Sequence, residues 1–195
     1  WDAVGEVVAV GEDVEYYNLG DQVYYAGDLT RSGSNAEYQL VDERIVGNKP
    51  KTLTDSEAVA LPLTAITAWE LLFTRLDFTP LLVDQRDKSD TALKSASENS
   101  GDIPSRLLIV GAAGGVGSIL TQLAATLTNA VVIGTASRPE SERWVKDLGA
   151  DHVINHHQPL QPQLSKLGID DITHVISLNR TGDHYDQLVE IIAPQ

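Results

Sequence analysis

The stretch Leu107-Leu108-Ile109-Val110-Gly111-Ala112-Ala113-Gly114-Gly115-Val116-Gly117 decides how this chain is read. Leu107–Val110 is a continuous apolar run of strand length. Val116, Ile119, Leu120, Leu123, Ala124 and Leu127 then recur at helical spacing. A glycine-rich turn between a buried strand and an amphipathic helix is the setting that a dinucleotide-binding fingerprint requires. In that reading Gly114 lets the backbone approach a pyrophosphate, and Gly117 lets the helix pack close to the strand. The amides of Gly115 and Val116 point at the anion, aided by the helix dipole. Ala112 stands where the G-x-G-x-x-G form has its first glycine, a departure from the pattern. The bland alternative is a glycine-rich turn with no ligand.

C-terminal to the turn, strands and helices alternate. Val131–Thr135 reads as a second strand and Pro139 to Leu148 as a helix stopped by Gly149. Val153-Ile154 is a short third strand, Leu160–Leu167 a weaker helix, Val175–Leu178 a fourth strand and Tyr185–Ile192 a helix. Such alternation gives a parallel sheet covered on both faces, a doubly wound α/β fold. The tip of the second strand is Gly134-Thr135-Ala136-Ser137-Arg138. NAD-preferring sites place an acid there, about 20 residues after the glycines, on the adenosine ribose hydroxyls. This tip has none. A hydroxyl at Ser137 and a guanidinium at Arg138 suit a 2′-phosphate instead, so NADP is the expected cofactor. Ser137 is also expected as the helix N-cap, with Glu140 three residues on. Glu140 and Glu142 fall in the first helical turn, where the dipole explains them.

N-terminal to the turn the pattern changes. Residues 1–50 read as β, with strands at Val4–Val10, Asp21–Tyr25 and Glu37–Val41 between clusters of Gly, Ser, Asn and Asp. That spacing belongs to a small barrel or sandwich. Thr54-Asp55-Ser56-Glu57 has the form of a capping box, and Ala58 to Phe73 is a helical region broken or kinked at Pro62. Residues 79–105 are polar and read as a connection with at most one short helix.

Composition narrows the function further. The chain has 195 residues, 42% hydrophobic and 22% charged, as an ordinary packed domain does. Lys+Arg number 14 against 28 Asp+Glu, a formal net charge of -14, which repels phosphate backbones and argues against nucleic-acid partners. No apolar run is expected to reach the ~18–20 residues of a membrane span. Cys is 0, so disulfides, thiolate nucleophiles and Cys-ligated zinc are excluded, and the cytosol is the expected compartment. Met is also 0, and Trp1 opens a stretch that reads as a strand, so a portion of a longer protein is expected.

These residues resemble the medium-chain dehydrogenase/reductase superfamily, in particular its quinone oxidoreductase (zeta-crystallin-like) and zinc-type alcohol dehydrogenase-like group. The resemblance rests on Val4–Gly11, Gly20–Val23, Ala36-Glu37-Tyr38, Ala60–Trp69, the Gly114–Gly117 turn and Leu148–Asn155, in the family's order. It implies part of a GroES-like catalytic domain over 1–60. A Rossmann NADP-binding domain over 61–195 follows, incomplete at its C-terminal end. It implies a small-molecule substrate and a full-length homo-oligomer.

Zinc members carry a Gly-His-Glu motif whose His binds the catalytic metal. Trp1-Asp2 falls at the His-Glu place, and an indole offers a metal no lone pair. The stretch from Tyr24 to Ala36 is too short for the four-Cys structural lobe and has no Cys, so neither zinc site is expected. His152, His156 and His157 read as a loop after a short strand rather than a metal site, and His174 and His184 as structural or surface residues. Without a Lewis acid for an alkoxide, a quinone or an α,β-unsaturated carbonyl is the fitting hydride acceptor. No acid–base constellation is legible, and no catalytic acid is named.

The resemblance also implies roles for individual residues. Thr67 lies near the nicotinamide, Ser137 and Arg138 take the 2′-phosphate, and His156 flanks the adenosine phosphate side. The loop Leu178-Asn179-Arg180-Thr181 approaches the nicotinamide ribose, since ligands sit at the carboxyl ends of such strands.

Overall fold

In a computed structural model the chain divides into two compact units, Trp1–Ile66 and Thr67–Gln195. The structure describes residues 1–81 and 105–194. The polar connection expected over 79–105 therefore lies almost wholly outside the described residues.

The first unit is a three-stranded antiparallel sheet in the order β1 (Ala3–Glu6), β2 (Gln22–Tyr25), β3 (Gly47–Asn48). Val23 pairs with Gly5 on one side and Asn48 on the other. β1 is shorter than its valine-rich sequence indicates, and Val8 and Val10 beyond it are exposed. The expected strand at Glu37–Val41 does not form. Tyr38 is 74% and Leu40 85% exposed, and among the described residues no strand pairs with their backbone. Gln39 instead accepts from Tyr25 Oη at 2.7 Å and donates to Ser32 O at 2.6 Å. The short helix α1 (Asp55–Ala58) carries the anticipated capping box of Thr54 and Glu57.

Pro62 opens a separate helix, α2 (Pro62–Trp69), which widens into a π-helical turn over Glu70–Arg75. Taken as one stretch, Asp55–Arg75 has the length and mean hydropathy (1.2) of a membrane span. This corrects the expectation that no segment reaches that length. Glu70 and Arg75 lie within it; Ala58, Ala68 and Leu72 are fully buried, whereas Leu63, Ile66 and Trp69 are exposed.

The second unit continues as β4 (Arg106–Val110), α3 (Gly115–Leu127), β5 (Val131–Thr135), α4 (Pro139–Asp147), β6 (His152–Ile154), α5 (Leu160–Lys166), β7 (His174–Ser177) and α6 (Thr181–Ile191). All strands are parallel, in the order β6-β5-β4-β7. Side chains alternate across β4, as a strand buried on both faces requires. Leu107 and Ile109 enter one buried cluster with Leu120 and Val145; Leu108 and Val110 enter the other with Leu164 and Leu188. The chain winds outward from β4 to β6 and then crosses to β7 on the opposite side. The order reverses between β4 and β7, so the carboxyl ends of these strands open the crevice where such folds bind ligands.

Candidate functional site

The glycine turn leaves the end of β4 at this reversal. Gly111 takes φ +87°, so the turn glycine lies one residue before the Ala112 position. The methyl of Ala112 is accommodated by Gly134 on β5, where a Cβ would stand 2.9 Å from it. This explains why the first fingerprint position tolerates alanine. Gly111 N–H donates to Thr135 Oγ1 at 3.1 Å, and Gly111 O accepts from Gly114 N–H at 3.1 Å.

Gly117 and Gly114 do different work. A Cβ on Gly117 would stand 2.3 Å from Gly111 O and 2.7 Å from Ala112 Cα, so only glycine lets α3 meet the turn. A Cβ on Gly114 would meet nothing nearer than Gly111 O at 3.4 Å, and its φ of −76° suits any residue. The fold does not demand a glycine there. The space is left on the outer side of the turn, where Gly114 and Gly115 are exposed. No side chain caps α3. Its first helical bond runs from Ser118 N–H to Gly114 O at 2.8 Å, so the amides of Gly115, Val116 and Gly117 lie ahead of it at the positive end of the helix.

Two neighbouring strand ends complete the edge. Leu178 N–H donates to Val110 O at 3.0 Å, and a Cβ on Gly111 would lie 3.6 Å from Leu178 Cβ and 3.5 Å from Asn179 Cβ. Leu178 thus flanks the glycine turn. Thr181 does not lie in the loop, as the sequence indicates, but is the first residue of α6, which starts four residues earlier than its apolar pattern. Its hydroxyl lies 2.8 Å from Ser177 Oγ, and Arg180 before it takes a left-handed conformation at φ 51°.

At the other end, Ala136 N–H donates to Ile154 O at 3.0 Å, which holds the tips of β5 and β6 together. That brings Ser137 and Arg138 to the strand end next to the one that carries His156. Ser137 is not the N-cap. Pro139 occupies the first helical position, so Arg138 is the cap residue, and it gives no side-chain cap bond. The Arg138 guanidinium is exposed, donates to Ser141 Oγ at 3.4 Å, and has no carboxylate partner among the described residues.

His156 follows the end of β6. Its ring lies 4.5 Å from His157 and 6.1 Å from His184, on the wall of a cavity of about 600 Å³ that Arg180 and Asp183 also line. The Nδ1 atoms of His156 and His184 are buried without a hydrogen-bond partner among the described residues. Burial, then the neighbouring His157, His184 and Arg180, push the His156 imidazole below its ordinary pKa. His184 is 8% exposed and faces this cavity, a role its isolated position in sequence did not signal. His174 bonds Thr173 and packs on Phe78. Thr67 stands on α2 beside Ala68, which joins the buried cluster of Ala112 and Leu120. Among the described residues no group of three His, Asp or Glu has the arrangement of a metal site.

A parallel sheet of this order, with an uncapped glycine turn at its reversal point, defines a Rossmann-type α/β unit. Comparison with known proteins agrees. Residues 115–195 match the zinc-binding dehydrogenase family. A zinc-type alcohol dehydrogenase-like protein of Staphylococcus aureus strain Mu50 is 40% identical over 194 residues, covering 100% of this chain and 52% of that protein. The 2-methylene-furan-3-one reductase of Solanum lycopersicum is 35% identical over 164 residues, covering 80% of this chain and 36% of that enzyme. Among solved structures, a provisionally assigned zinc-dependent alcohol dehydrogenase from Rhizobium etli CFN 42 superposes with a TM-score of 0.84 at 49% identity, over 100% of this chain and 52% of that one. Sequence and fold are thus similar to those of the medium-chain dehydrogenases and reductases over the whole of this chain. It spans about half the length of the Staphylococcus relative.

Proposed function

We propose that the full-length protein is an NADPH-dependent oxidoreductase that passes hydride from the nicotinamide to a quinone or an α,β-unsaturated carbonyl, without zinc. The tip of β5 carries the reading. A hydroxyl stands there with a guanidinium that has no carboxylate partner among the described residues, beside a turn whose exposed positions Gly114 and Gly115 carry no side chains. The amides of Gly115 and Val116 receive the diphosphate, and Gly114 provides the room for it. Ser137 and Arg138 take the 2′-phosphate, a charge-assisted contact that excludes little but selects strongly. His156 flanks the adenosine side, while Leu178, Thr181 and Thr67 lie toward the nicotinamide end.

The bound cofactor supplies the hydride; the protein orients it and keeps water away from the transfer. Zinc ligands do not fit this chain: Trp1-Asp2 replaces a His-Glu pair and there is no Cys. A conjugated acceptor delocalises the incoming charge and so needs less electrophilic help, and the tomato relative's name states such a substrate for that enzyme.

The test is a fluorescence titration of the full-length protein with NADPH and NADH, followed by a screen of quinones and enals. NADPH is expected to bind at least about tenfold tighter than NADH, and Arg138→Ala to erase the difference. Equal affinities in the parent protein would overturn the phosphate pocket. The names of the Staphylococcus and Rhizobium proteins favour a second reading, a zinc-dependent alcohol dehydrogenase. One zinc per subunit by elemental analysis would establish it in place of ours.

A further inference from the structure

We infer that Thr135 is a positioning residue for the dinucleotide: its side-chain hydroxyl, not the sheet, holds the glycine turn in its binding shape. This inference rests on the diphosphate reading of that turn.

The argument begins with the backbone. Along β4 and β5 the strands pair residue by residue, from Arg106 with Val131 to Ile109 with Gly134. The pairing stops there, because Gly111 turns out of the sheet at φ +87°. A buried or half-buried amide at such a departure needs a new acceptor, since leaving it unpaired is costly. Thr135 provides it: Oγ1 accepts from Gly111 N–H at 3.1 Å. The side chain is 1% exposed, so water does not compete for the bond. On its other side Gly111 is fixed by its carbonyl, which accepts from Gly114 N–H at 3.1 Å. Both peptide planes of the left-handed residue are therefore clamped. The orientation of Gly111 then sets where Gly114 and the first amides of α3 point.

Thr135 is also covalently two residues before Ser137 and three before Arg138. One residue thus ties the diphosphate turn on β4 to the strand tip that carries the 2′-phosphate groups. Valine matches threonine in shape but accepts no hydrogen bond. Serine keeps the hydroxyl and loses the methyl.

The test compares parent, Thr135→Val and Thr135→Ser in the full-length protein by NADPH and NADH titration. Thr135→Val is expected to raise both dissociation constants about tenfold, leave their ratio unchanged, and keep one site per subunit. A folding defect would lower the number of sites rather than the affinity. Thr135→Ser is expected to bind as the parent does. If the valine variant does not fold, hydrogen exchange at the Gly111 amide decides: slow in the parent and Thr135→Ser, fast in Thr135→Ala. Parent-like binding by Thr135→Val, equal weakening in Thr135→Ser, or rapid Gly111 exchange in the parent would each overturn the inference and leave the dinucleotide reading intact. A parent protein that binds neither nucleotide would overturn both.

Discussion

The two compact units hold their apolar residues in opposite ways. In the second, each strand of the sheet sends side chains into a buried cluster on both faces, and Leu107, Leu108, Ile109, Val132 and Ile133 are all at 0% exposure. In the first, among the described residues, the buried apolar side chains are Val23, Ala26, Ala58 and Pro62. Val8, Val10, Tyr16, Leu19, Leu29 and Leu40 stand exposed, and a cavity of about 670 Å³ lies along the inner side of β1. Hydrophobic pattern becomes secondary structure only where there is something to pack against. A valine-rich run or an alternating strand sequence without a neighbour remains loop.

The sharpest way to break this comparison is to delete matched side chains. Leu108→Ala removes a fully buried side chain from the second unit's core and is expected to cost about 2–5 kcal/mol. Leu40→Ala, at a residue 85% exposed, is expected to change stability by less than about 0.5 kcal/mol. Denaturant unfolding of this chain checks both. A costly Leu40→Ala would mean that the first unit has a core that its exposure pattern hides.

Within the second unit the same logic separates two glycines. Gly117→Ala drives a methyl into rigid backbone and is expected to cost about 1–3 kcal/mol, at the upper end because neither Gly111 O nor Ala112 Cα can move alone. Gly114→Ala meets only ordinary contact and is expected to cost under about 1 kcal/mol, mostly as a poorer helix cap. Its methyl fills the space left for the diphosphate, so NADPH affinity is expected to fall by more than about tenfold. Thermal unfolding beside nucleotide titration reads the two effects. A Gly114→Ala variant that binds NADPH unchanged would remove the ligand from the turn.

The comparison also shows which features could be read from sequence. Gly114–Gly117, the strand–helix alternation and the acid-free tip at Ser137-Arg138 are local patterns, and each is visible in a window of a few residues. The start of α6 at Thr181 was hidden because its first turn, Thr181-Gly182-Asp183, carries no apolar side chain to mark the period. The cap at Arg138 is not legible because a good capping hydroxyl sits one residue too early for a helix that begins with Pro139. Thr135 and His184 were invisible as site residues. Their partners, Gly111 and His156, lie 24 and 28 positions away in the chain, and only the sheet and the α5–α6 face bring them together. Glu37–Val41 failed for the opposite reason: its local pattern was adequate and its neighbour was missing.

Titration offers the finest test of the contrast, because the shifted groups in the two units have opposite chemistry. In the first unit, the Arg44 guanidinium and amide hold the Asp42 carboxyl well below the usual carboxylate range. The amide and hydroxyl of Thr54 lower Glu57 in the same way. Their stabilisation is complete above the unfolded carboxylate range near ~4 and is lost as pH falls from there through their lowered folded pKa values. In the second unit the lowered groups are imidazoles, His156 and His174, each chiefly through burial. The unfolded chain takes up those protons from about pH 6.5 downward while the folded unit refuses them, so stability falls as pH drops below ~6.5. Acid should therefore loosen the second unit before the first, despite its better core. Hydrogen exchange measured from pH 7.5 to 5, corrected for intrinsic rates, is expected to show protection lost first in α5 and α6, where the His156 cavity lies. His156→Gln should flatten that loss without altering the first unit. Unchanged protection of α5 and α6 across the range would mean that these half-buried imidazoles find partners that relieve them.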